Sequence, residues 1–173
     1  MPPLDDPYSS LTMRVLGGVA IGDGSQGREV QTWSVDYVAG QIRLLDSSST
    51  VRFTLTVVSV LTVCIAFDTN MSPCIGYTKS DGSYVYFYNS LSAAYETLFV
   101  SGAGSCRVCV DKSARFFEAA SDVIFAYTLT GQLYYRQQRD RFAVQYLIGP
   151  ASGTLVRVGP NLDNRLQFQI KPS

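Results

Sequence analysis

Apolar side chains recur at every second position through much of this chain, and clusters of glycine, proline, asparagine and aspartate cut those runs into short pieces. A period of two puts alternate side chains on opposite faces of an extended strand, whereas an amphipathic helix needs spacings of three and four. Over Val30 to Val38 the set Gln31, Trp33, Val35, Tyr37 is more apolar than Val30, Thr32, Ser34, Asp36. That alternation predicts a strand with Trp33, Val35 and Tyr37 inward. In Arg52 to Thr62 it sets Phe53, Leu55 and Val57 against Arg52, Thr54 and Thr56, and the run to Phe67 is long enough to hold two segments around Ser59.

The same reading predicts strands at Met13 to Ile21, Gln41 to Leu45, Cys74 to Tyr77, Tyr84 to Tyr88, Thr97 to Val100, Cys106 to Val110 and Val123 to Leu129. Further strands follow at Gln132 to Gln137, Phe142 to Ile148, Thr154 to Val158 and Leu166 to Ile170. Lys79-Ser-Asp-Gly-Ser83 between two such runs marks a hairpin with an Asp-Gly corner. Ser92 to Tyr95 reads as a short helical turn, and Ser113 to Ala120 is the best helix candidate, one or two turns long. About nine or ten short strands with close turn signals predict an all-β, antiparallel sandwich or barrel, jelly-roll-like, with at most one short helix. Residues 1–11, with three prolines and two aspartates, read as a flexible lead-in to a single domain over 12–173, and no internal repeat is visible.

Charge narrows the function. Lys plus Arg and Asp plus Glu are 14 each, so the formal net charge is zero, and there is no histidine. A chain whose main task is to neutralise phosphates would carry a basic excess, and the commonest acid/base group and metal ligand is missing. Charged residues make up 16% of the chain, below the usual quarter or so, which predicts a surface partly covered by neighbours. The start lacks the basic region of a signal peptide, and the Val51 to Phe67 run holds Arg52, three Thr and a Ser, which argues for strands and against a membrane span.

Individual motifs resolve mostly into structural readings. Gly22-x-Gly24-x-x-Gly27 matches a dinucleotide fingerprint in form, with Asp46 downstream, but strand-like residues follow where a helix is required, so a hairpin turn is expected. Cys64, Cys74, Cys106 and Cys109 are expected as buried thiols, with one strand-bridging disulfide or a zinc site as alternatives. In a strand, Cys106 and Cys109 point to opposite faces, which weighs against zinc. Without histidine no Ser-His or Cys-His dyad exists, and acidic pairs are confined to Asp5-Asp6 and turns; no enzyme, cofactor or metal is expected. Asn70-Met-Ser72 has the form of a glycosylation sequon, followed at once by Pro73.

Two clusters stand out as interaction candidates. Arg136, Arg139 and Arg141 lie beside Tyr134 and Tyr135 and suit RNA contact or subunit salt bridges, although Asp140 interrupts them. Among eleven tyrosines, Tyr84, Tyr86 and Tyr88 share one strand face, and with Tyr134 they are the expected interface or recognition residues. Half-buried strand tyrosines with their hydroxyls at the rim are the equal alternative.

Tyr84-Val-Tyr-Phe-Tyr-Asn89, Leu98-Phe-Val100, Gly102-Ala-Gly104 and Arg107-Val-Cys-Val110 resemble a Tyr-rich strand, turn and strand of small icosahedral RNA-virus structural proteins, either a jelly-roll coat or a hepevirus-type protruding spike domain. The resemblance covers under a third of the chain. It implies a β-sandwich or barrel that oligomerises by symmetric contacts and encloses or decorates a virion, with attachment to a host receptor or glycan as a further role. The chain departs from a genome-binding coat in lacking a basic N-terminal arm. A lectin-like or trimeric jelly-roll binding module is the alternative reading.

Overall fold

The computed structural model describes residues 11–12, 18–21, 32–68, 70, 72–111, 122–161, 163 and 165–172. Sheet 1 is built from β1 (Leu11–Thr12), β2 (Gly18–Ile21), β3 (Thr32–Val38), β4 (Gln41–Leu45) and β5 (Val51–Thr56). Sheet 2 holds β6 (Thr62–Phe67), β7 (Pro73–Lys79), β8 (Gly82–Asn89) and β9 (Ala94–Ser101). Sheet 3 holds β10 (Cys106–Val110), β11 (Val123–Leu129), β12 (Gln132–Gln137) and β13 (Tyr146–Pro150), and β14 (Thr154–Pro160) with β15 (Leu166–Lys171) closes the chain as a hairpin. Every pairing is antiparallel and joins strands adjacent in sequence.

The all-β antiparallel sandwich is therefore as expected. Jelly-roll connectivity is not what joins its strands, because a jelly roll sets strands from distant parts of the chain side by side and these sheets are meanders. The four layers pack in chain order, β6 on β2 and β3, β10 on β6 and β7, and β14 on β10 and β11, and β14 in turn touches β1 of the first sheet. The strands that pack on one another in turn, β2, β6, β10 and β14, start at Gly18, Thr62, Cys106 and Thr154, a spacing of roughly 45 residues typical of propeller blades. A structural repeat thus underlies a sequence in which none is apparent.

Three dry seams hold the stack. Between sheets 1 and 2, Val35, Ile42 and Leu44 meet Val63, Ile65 and Ile75, with Trp33, Tyr37, Phe53 and Leu55 at the margin. Between sheets 2 and 3, Cys64, Cys74, Val85 and Phe87 meet Val108, Phe125, Tyr127 and Phe142. Cys109, Ile124, Ala126 and Leu133 meet Leu155 and Val158 of the hairpin in the third. Strands β6, β7, β10 and β11 are dry on both faces, which is why they read as continuous apolar runs. The second seam is close: a Cβ on Gly76 would lie 2.8 Å from Cys64 Sγ and 3.0 Å from Val108 Cγ1.

Local chemistry sets the corners. Ala39-Gly40 and Thr130-Gly131 both hold positive φ at two successive positions, the turn whose twist suits a two-residue hairpin. The long run after Val51 breaks at Ser59, itself at φ 61°, into β5 and β6. Residues 91–93 form a turn rather than helix and β9 starts at Ala94, while the strand expected from Phe142 begins only at Tyr146, because Arg141 and Phe142 both hold left-handed φ. The lead-in over 1–10, the Gly22 to Gly27 corner and the Ser113 to Ala120 helix lie outside the described residues. Beyond that corner strand β3 pairs antiparallel with β2. Among the described residues no helix is long and apolar enough to cross a membrane.

Candidate functional site

Sheets 2 and 3 meet in a seam that is tight along β6 and β10 and opens at one end, where the loops leave the strands. There a cleft of about 740 Å³ is walled by Asp68 and Asn70 of the β6–β7 loop, Tyr88 to Leu91 at the β8–β9 turn, Asp122 before β11, and residues of the segment 138–144. Phe87 lies at its floor. That volume is within the range of small-molecule sites, about 300–1,000 Å³.

Most of its polar groups hold the loops in place. Asp68 Oδ1 accepts the backbone N–H of Asn70 at 2.9 Å and of Ser72 at 2.8 Å, bending the β6–β7 loop, and its Oδ2 accepts Gln138 Nε2 at 3.3 Å. Asp122 accepts the backbone N–H of Arg139 at 3.0 Å and its Nε at 2.8 Å. Burial pushes the Asp122 carboxyl above the usual range against the pull of that guanidinium. At the β8–β9 turn, the Ser92 hydroxyl and then the Asn89 amide donate to Glu96 and hold it below the usual value. Asp140 differs: its Oδ1 is buried and receives no hydrogen bond.

The segment above the cleft is held from below. The Phe142 ring is fully buried in the middle seam, edge-on to Phe87 at 4.9 Å and Phe125 at 6.2 Å, although its φ is 59°. Arg136 donates from Nε to the Tyr127 hydroxyl at 2.8 Å, from one terminal nitrogen to the Phe142 and Ala143 carbonyls at 2.7 and 3.0 Å, and from the other to Gln145 Oε1 at 3.1 Å. Backbone strain at Arg141 and Phe142 is thereby overdetermined by packing, a pattern common at binding sites.

The three arginines expected to act together are separated in this way. Arg136 is tied into the fold, Arg139 pairs with Asp122 and, at 3.3 Å, with Asp111, and Arg141 is exposed on the cleft wall. Tyr84 stacks between Tyr77 at 4.9 Å and Phe99 at 4.5 Å, and Tyr86 on Tyr95 at 4.9 Å, so both belong to an aromatic ladder across β7, β8 and β9. Burial in that ladder pushes the Tyr77 hydroxyl up to about 12. Tyr134 stacks on Tyr127 against the middle seam. Of the four tyrosines singled out by pattern, Tyr88 alone lines the cleft.

All four cysteines are buried, and none is joined in a disulfide. Cys64, Cys74 and Cys106 share the middle seam and Cys109 faces the hairpin seam, so the opposite facing of Cys106 and Cys109 holds. Among the described residues no cluster of His, Cys, Asp and Glu is placed to hold a metal ion. Burial, and then the Asp68 and Asp122 carboxylates, push the Cys74 thiol well up.

A second surface lies along the outer strand of sheet 3. Among the described residues β13 pairs only with β12, and Tyr146, Leu147 and Ile148 are all exposed, Leu147 at 62%, with Val144 beside them. The neighbouring outer strand β9 exposes Tyr95 and Phe99. From Phe142 to Val156 there is no charged residue.

Asp122, Asp140 and Asn89 were not legible as site residues, because their loops lie far apart in sequence and a lone Asp or Asn near a turn carries no signature. Compared with protein-family models, curated proteins and solved structures, the chain matches none.

Proposed function

We propose that this chain is a structural β-domain that assembles with copies of itself, as a coat or spike component of a viral particle does. The observation that carries the assembly is β13. Natural edge strands are blunted by lysine, proline, inward charge or a β-bulge; β13 has Pro150 at its very end and a bulge at Ile148, but its length is uncharged and Tyr146, Leu147 and Ile148 are all exposed. Two copies can pair such edges antiparallel with no like charges opposed and bury side chains that each exposes alone. The viral setting rests on the resemblance over Tyr84 to Val110, and the low charged fraction agrees with a covered surface.

Size-exclusion chromatography with light scattering tests the assembly. The protein is expected at a multiple of its 19.0 kDa mass, and Leu147→Lys, at an exposed position, is expected as a folded monomer. A wild-type chain that stays monomeric at every concentration overturns the proposal. Negative-stain microscopy of the assembled fraction then separates shells from small closed oligomers.

A further inference from the structure

We propose that the cleft between sheets 2 and 3 binds a short saccharide, independently of whether the chain self-assembles. Asp140 Oδ1 is a buried acceptor that receives no hydrogen bond, and the exposed side chains of Arg141 and Asn70 line the same cleft. The cleft therefore offers both donors and acceptors at planar groups, which suits sugar hydroxyls that give and take hydrogen bonds at once. Between them stand the exposed Leu91 and Val144 side chains, an apolar surface for the C–H face of a pyranose, while Tyr88 presents its backbone carbonyl on the cleft side and its ring packs on Tyr95.

Other ligand classes fit less well. Three carboxylates outnumber two guanidiniums in the lining, and Arg139 is already paired to Asp111 and Asp122, so a phosphate or nucleic-acid backbone meets a net negative wall. A peptide adding as a strand requires an open sheet edge, whereas these walls are loops and turns. The site is also rigid: Phe142 anchors the 138–144 segment in the core and Arg136 ties its carbonyls, so little ordering is required on binding.

The test is saturation-transfer NMR of the purified chain with maltotriose, chitotriose, lactose and sialyllactose, followed by titration of whichever binds. At least one is expected to saturate, and Asp140→Asn and Arg141→Gln, which keep size and can be checked for folding by circular dichroism, are each expected to weaken it about tenfold, the loss of one charge-assisted hydrogen bond. No binding by any of the four at millimolar concentration, or binding that survives both substitutions, overturns the proposal. Leu147→Lys is expected to bind as wild type does, so loss of assembly and loss of the saccharide site are read separately.

Discussion

Asp46 shows how much structure a single carboxylate can organise. Its Oδ1 accepts the backbone N–H of Ser48 and Thr50, and its Oδ2 accepts Arg52 Nε at 2.6 Å, so one side chain closes the β4–β5 corner and ties it to the strand that follows. The Thr50 N–H first, and then the Arg52 guanidinium, hold the carboxyl below its usual value. Because the folded value lies below the unfolded one, this group stabilises the fold above the unfolded value of about 4 and loses that contribution as the pH falls through the depressed one. Asp46→Asn is therefore expected to be less stable than wild type at pH 7, with the gap narrowing below about pH 4. Urea titrations at pH 7 and pH 3 check this; an equal gap at both would show that Asp46 acts only as a hydrogen-bonding shape.

At the level of elements, the β12–β13 connection depends on one guanidinium. Arg136 bonds two carbonyls, a hydroxyl and a side-chain amide oxygen in four directions, a fork that lysine cannot reproduce. Arg136→Lys is expected to lower stability by about 1–3 kcal/mol, since part-buried acceptors lose their donor. Amide exchange should quicken in residues 138–145 and leave β6 and β10 protected; unchanged exchange in that segment would mean that Phe142 alone secures it. Pattern reading recovered the strands on either side but extended the second back to Phe142, since a fully buried phenylalanine in a turn has the same signature as one in a strand.

For the whole molecule, the end faces matter as much as the seams. Ser34, Asp36, Gln41, Arg43 and Thr54 face away from the stack on sheet 1, with Asp36 and Arg43 ion-paired, and Gln169 and Lys171 are exposed on the last hairpin. The first sheet and the last hairpin touch through β1 and β14, and the polar faces they turn outward direct assembly to the outer strand edges rather than to further face-to-face stacking. The seams also bury every thiol, so the native protein is expected to react with a thiol reagent only slowly and the denatured protein to release four equivalents under non-reducing conditions. Fewer than four would reveal a disulfide, the alternative that the sequence leaves for these cysteines.

Alternation of side chains and the chemistry of the corners determined the strands, their inward faces and the antiparallel class, because both are local properties of extended backbone. Ala39-Gly40-Gln-Ile42 and Thr130-Gly131-Gln-Leu133 even mark the same corner in the first and third units, although two such tetrapeptides are too short to declare a repeat. How four layers stack, and that Asp68, Tyr88, Asp122 and Asp140 meet across one cleft, was decided only by tertiary packing. Contacts between residues some fifty positions apart depend on which seams bury the most apolar surface together, and no local pattern encodes that.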